Sequence, residues 1–111
     1  MMPSDPSQLT PADLNARVLR LLGWKRAANG FFWTSPDGKG YSNDWVPQYV
    51  TTMNLAVELM KGNSLCLFDD DEGIFICDHT VNGTLTPGRS TDPARAICEA
   101  FVAVMEKEQE G

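Results

Sequence analysis

Two runs in the second half of the chain constrain its fold more than any other feature. SLCLFD (64–69) and IFICDHTV (74–81) have the length and the Ile, Leu and Phe content of strands. Neither alternates apolar with polar at its centre. Leu65, Cys66, Leu67 and Phe68 are all apolar, and so are Ile74, Phe75, Ile76 and Cys77. A strand with one face in water shows a period of two, so both runs are expected to be covered on both faces. The acidic stretch 70–73 joins them as a turn. If Asp69 pairs with Ile74, then Phe68 meets Phe75, Leu67 meets Ile76, and Cys66 meets Cys77. Opposed thiols would permit a cross-strand disulfide only within tight geometry, so two core thiols are the simpler expectation.

The cover is helical. Thr10-Pro11-Ala12-Asp13 is a helix start, with Thr10 as cap, Pro11 in the first helical position and Asp13 at the positive end of the dipole. Leu14, Val18, Leu21 and Leu22 then share one face, Arg17 and Arg20 take the other, and Gly23 ends a helix over 11–22. Thr91-Asp92-Pro93 opens a last helix in the same manner, with Ala94, Ile97, Cys98, Phe101, Val102 and Met105 on its core face and a charged tail expected to fray. A middle helix starts at Thr51 or Thr52 and stops before Gly62. Its polar stripe is only Asn54, Glu58 and Lys61, so the domain or a second subunit should bury most of it.

Asn29-Gly30 predicts a two-residue type I′ hairpin between strands at 24–28 and 31–35, and SPDGKG (35–40) is a turn cluster. Asn82-Gly83 predicts a second such hairpin, into a short strand at 84–86. The order is α-β-β-α-β-β-β-α. The expected fold is α+β: a helix–sheet–helix sandwich on a small, mostly antiparallel sheet of about five strands. It forms a single domain over 10–108, behind a flexible segment at 1–9.

The chain has 111 residues and a net charge of −6. That charge argues against a nucleic-acid groove or an anionic membrane surface, both of which need clustered Lys and Arg. It suits solubility, or a basic partner. No run of about 18 apolar residues predicts a membrane span, and residues 1–8 lack the basic and apolar regions of a signal peptide, so a cytoplasmic location is expected. Three cysteines inside apolar runs suit reduced thiols.

Candidates for chemistry are few. His79 is the sole histidine, and Asp78 beside it would point to the opposite face of a strand. The cysteines lack close metal-ligand spacing, so neither a metal nor another cofactor is expected. Asp69-Asp70-Asp71-Glu72 lacks the spaced ligands of a calcium loop and reads as a solvated turn, or as a tip that docks on a basic groove. Lys39 in the glycine turn, and Arg89 before the last helix, are the candidate anion contacts, although capping by Thr91 or Asp92 competes with the second.

The segment GYSNDWVPQYVTT (40–52) holds Tyr41, Trp45 and Tyr49, while Pro47 forbids an ordinary helix through it. Aromatics on an irregular connection either close a core or anchor a partner. Tyr49, next to the middle helix, is expected to be a core lid. For Tyr41 and Trp45 both readings stand, and Trp24 and Trp33 on the first hairpin would border the same patch. The candidate binding residues are therefore Tyr41, Trp45, Tyr49, Trp33, Lys39 and Arg89.

LGWK (22–25), FWTSPDGKGY (32–41), Pro47-Gln48-Tyr49, residues 56–59 and above all TDPARAICEAF (91–101) give the chain a resemblance, over most of its length, to the phage ABA sandwich domain. It departs at Tyr49-Val50-Thr51-Thr52, which lacks the acidic cap that similar sequences carry. The resemblance implies an α-β-α sandwich and a phage or prophage origin, and no reaction or catalytic residues. The expected function is a non-enzymatic binding module acting in the host cytoplasm, a counter-defence inhibitor of a host protein. The alternative is a nucleotide-sequestering protein, with aromatics on the base and Lys39 or Arg89 on phosphate, its sites lying between subunits of a homo-oligomer.

Overall fold

A computed structural model describes residues 8–28, 30–61, 65–79 and 88–110, with the side chains of His79 and of 107–110 excepted. The elements are α1 (Pro11–Leu21), β1 (Lys25–Arg26), β2 (Phe32–Thr34), β3 (Gly40–Ser42), α2 (Met53–Lys61), β4 (Leu65–Asp69), β5 (Phe75–His79), β6 (Gly88–Ser90) and α3 (Pro93–Glu110). The protein is α+β, with three helices and two small antiparallel sheets ordered β1-β2-β3 and β4-β5-β6.

The single sheet of about five strands is therefore a correction, as is the order: a third strand precedes α2. That strand, β3, lies inside the connection expected to be irregular. It forms because Ser35 N donates to Lys39 O (2.8 Å) and Gly38 N to Ser35 O (2.9 Å), with Gly38 at φ 91°. Pro36 and Gly38 suit such a turn, and it sets Gly40 opposite Thr34 and Tyr41 opposite Trp33. The sheets stay apart because each packs on a different helix. Trp33 of β2 joins Leu19 of α1 and Val46 in one small core, while β4 and β5 close a larger one over α3.

The layering is also corrected. The central layer is α3: β4, β5 and β6 lie against it, and so do α1 and α2. Ala96, Ile97, Cys98, Ala100 and Val102 of α3 are inaccessible to solvent. Small residues allow the close approach. A Cβ built on Gly88 would stand 1.9 Å from the Ala96 carbonyl oxygen.

In the β4–β5 hairpin, Asp69 pairs with Phe75, not Ile74. Asp70 N donates to Ile74 O (3.0 Å), Asp71 adopts φ 68° and Gly73 φ 89°, and the Asp70 carboxylate accepts from Glu72 N (2.9 Å). Asp70 and Ile74 thus extend the ladder and shorten the turn by one residue. This moves the register by one, which places Cys66 opposite Asp78 and Cys77 opposite Leu67. Cys66 is exposed and Cys77 buried, on opposite faces of the sheet, so the opposed thiols are not found. Nor are both faces covered: Phe68 remains 49% exposed.

The first helix begins as expected, with Thr10 Oγ1 accepting from Asp13 N (3.1 Å). Arg17 is not on a free outer side, since its guanidinium pairs with Glu106 of α3 (Nε to Oε2, 2.9 Å). Leu9 is tied down as well, its carbonyl accepting from Arg95 (2.6 Å). Residues 1–7 of the expected flexible segment, and the expected hairpin and strand at 82–86, lie outside the described residues.

Candidate functional site

The exposed large apolar side chains among the described residues are Phe31, Phe32, Trp45, Met53 and Phe68. Three of the five share one end of the first sheet. Phe31 O accepts from Asn43 N (3.2 Å), Phe32 pairs with Ser42, and Trp45 N donates to Ser42 O (3.0 Å). Phe31, Phe32 and Trp45 are 67%, 53% and 78% exposed. Strand alternation explains the split within Phe31-Phe32-Trp33: Trp33 turns inward to α1, so Phe32 must turn outward. Lys25, Thr34 and Gly40 are exposed with Phe32 on that outer face.

The loop carrying Trp45 is fixed from beneath. Asn15 of α1 is 4% exposed. Its Nδ2 donates to Pro47 O (2.9 Å) and its Oδ1 accepts from Tyr49 N (2.7 Å). Asn43 ties the same loop to the first hairpin, donating to Gly30 O (2.9 Å) while accepting from Trp33 Nε1 (2.9 Å). An indole 78% exposed on a backbone held this firmly is presented rather than fraying.

The other sequence candidates divide. Trp33 is buried and structural, its ring flanked by the guanidinium groups of Arg20 (5.9 Å) and Arg26 (5.3 Å). Tyr41 is half-buried against Trp24, ring centroids 5.4 Å apart. Tyr49 packs against both cores, as a lid would, and burial raises its pKa, with Cys98 and Glu58 adding to the effect. Lys39 is exposed in the turn before β3 and Arg89 is exposed in β6 of the other sheet, so the two candidate anion contacts belong to different sheets. At the start of α3, Asp92 accepts from Ala94 N (3.0 Å), so capping occupies the position considered for phosphate.

Below the loop lies a cleft of about 210 Å³ lined by Asp13, Asn15, Arg26, Trp33, Asn43 and Gln48, among others. It is smaller than the usual ligand cavity of about 300–1,000 Å³ and matches one side chain better than a nucleotide. Among the described residues no group of three His, Cys, Asp or Glu could hold a metal, and no helix is long and apolar enough to cross a membrane. Burial pushes the Cys77 and Cys98 thiols up to about 12, with nearby carboxylates adding to the effect, so both stay protonated and poor nucleophiles.

Phe31 and Phe32 were not singled out from sequence. The available signal was the triplet Phe31-Phe32-Trp33, which cannot face one way in a strand. No known protein family, curated protein or solved structure matches the chain.

Proposed function

We propose that this chain is a non-enzymatic binding module of phage origin, related to the phage ABA sandwich domain, which inhibits a host defence protein in the host cytoplasm. The observation that carries the binding reading is the exposure of Phe31, Phe32 and Trp45 at one end of the first sheet, on an anchored loop and hairpin. Aromatic side chains lose little entropy on docking and supply much of the energy at protein interfaces. The phage origin rests on the sequence resemblance alone.

The test replaces Trp45 and Phe31 by Ala and Ser and compares capture of a partner from bacterial cytosol. The double variant should keep the wild-type melting temperature and lose a partner that the wild type retains. Equal capture by both proteins rejects the aromatic surface as the docking site.

A further inference from the structure

We infer that β4 is a dimerisation edge: two copies of this chain pair antiparallel through Leu65–Asp69, with Leu67 on the twofold axis and Phe68 of each copy against Cys66 of the other. The pairing uses the second sheet and goes beyond the docking reading, which rests on the first.

β4 is an outer strand of the sheet ordered β4-β5-β6, so one of its sides has no strand beside it. The register fixes which backbone groups face that side. Asp70 N donates to Ile74 O (3.0 Å), so Asp70 and Ile74 are a hydrogen-bonded pair. Antiparallel pairs alternate between bonded and non-bonded. Phe68–Ile76 and Cys66–Asp78 are therefore bonded pairs, while Leu65, Leu67 and Asp69 aim their N–H and C=O groups away from β5. Among the described residues no hydrogen bond meets those groups.

The other outer strands are guarded. β1 is two residues, both cationic, and β3 and β6 are three residues each, with exposed Arg89 in β6. Short length and Lys or Arg protect edges against pairing with another chain. β4 has five residues, no Lys, Arg or Pro, and its one charge, Asp69, at its end. Leu65 and Leu67 pack in the larger core, so alternation puts Cys66 and Phe68 on the outer face. Cys66 is exposed there, and Phe68 is 49% exposed.

The edge is complementary to itself. With Leu67 opposite Leu67 and Leu65 opposite Asp69, every outward N–H and C=O of the strand finds its counterpart. Cys66 and Phe68 of the two copies then form non-bonded pairs, where side chains approach most closely, and each ring leaves water against a thiol. The two Asp69 residues stay about 13 Å apart along the ladder, beyond the screening length of about 8 Å. A slip towards the turn would bring them together. Five residues from each copy make less than a standard interface, so the dimer is weak and forms with rising concentration.

The test is sedimentation equilibrium of the full, reduced chain from about 5 µM to about 1 mM. The wild-type mass should rise towards that of a dimer. Asp69→Pro removes an outward N–H and no bond to β5, so it should stay monomeric while still melting cooperatively. Phe68→Lys leaves the backbone edge intact and should weaken dimerisation about tenfold or more. Under mild oxidation Phe68→Cys should link its new thiol to Cys66 of the other copy, because directly opposed residues fall within disulfide range, whereas the wild type should not link. A dimer that survives both Asp69→Pro and Phe68→Lys, or a wild-type dimer linked Cys66 to Cys66, overturns the inference. A monomer at every concentration also overturns it, and if Asp69→Pro then loses a protein that the wild type captures from cytosol, the edge belongs to that partner instead.

Discussion

Replacing Gly88 by Ala tests the layering of the fold at its tightest point. The added Cβ would stand 1.9 Å from Ala96 O, 2.8 Å from Ala100 N and 2.9 Å from Ala96 C. All three are backbone atoms of α3, the helix against which the second sheet, α1 and α2 rest, so no side chain can turn aside. Overpacking by one carbon usually costs about 1–3 kcal/mol when neighbours can give. Here strand and helix must separate, and the cost should reach the top of that range, about 3 kcal/mol or more. Near the melting midpoint that corresponds to a fall of roughly 12–20 °C for a chain this size. Urea unfolding of Gly88→Ala gives the free-energy change directly. Gly38→Ala is the control: its Cβ meets nothing within 4 Å, and only the φ of 91° opposes it. Strain of that kind costs about 1–2 kcal/mol. A loss below about 1 kcal/mol for Gly88→Ala, or a loss no greater than that of Gly38→Ala, would refute the seating of β6 on α3.

Three further outcomes follow from the same coordinates. Asn15→Ala should destabilise the fold by about 2–4 kcal/mol, because it leaves Pro47 O and Tyr49 N without their partner, and it should weaken partner binding by loosening the Trp45 loop; urea unfolding and partner capture read the two effects. A thiol reagent should label one cysteine per native molecule, Cys66, and all three in denaturant; two fast-reacting thiols, or none, would contradict the register of β4 on β5. The Cys77 and Cys98 thiols have folded pKa values raised from 9.0 to about 12, so the folded state holds their protons more tightly. Their contribution is complete below pH 9 and is withdrawn as pH rises towards 12, at about 1.4 kcal/mol per pH unit for each thiol; unfolding free energies that stay flat from pH 8.5 to 10.5 would contradict their burial.

What could be read from the sequence follows the length of the signal. The caps and periodicity of 11–22 and of the helix from Pro93 set α1 and the start of α3 nearly to the residue, since many turns repeat one pattern, whereas the charged tail expected to fray continues α3 to Glu110. The first hairpin keeps its expected register, but Gly30 N donates to Ala27 O (2.9 Å), so the turn begins at Ala27 rather than spanning two residues. The strand Gly40–Ser42 left no pattern, because three residues including Gly and Ser cannot display an alternation. The slip between Cys66 and Cys77 had the same root: a turn one residue shorter reverses every side chain beyond it, and composition does not reveal which turn forms. The apolar run Leu65 to Phe68 implied two covered faces, yet one helix covers only one of them.

The candidate surface was half legible. Trp45 emerged because Pro47 and the lack of periodicity marked its segment as a loop. Trp33 and Tyr41 were placed with it by proximity in sequence, whereas alternation in β2 and the pairing with β3 turn both inward. Phe32 took their place for the same reason, and Phe31 is exposed just before β2 begins.

The most direct measurement of the central claim is native mass spectrometry of the tagged protein purified gently from bacterial cytosol, beside the Trp45→Ala, Phe31→Ser variant. A binding module should carry a stoichiometric protein adduct, and the variant should arrive without it at the same melting temperature. A small-molecule increment of a few hundred daltons on an oligomer, or a bare monomer in both samples, would contradict the claim.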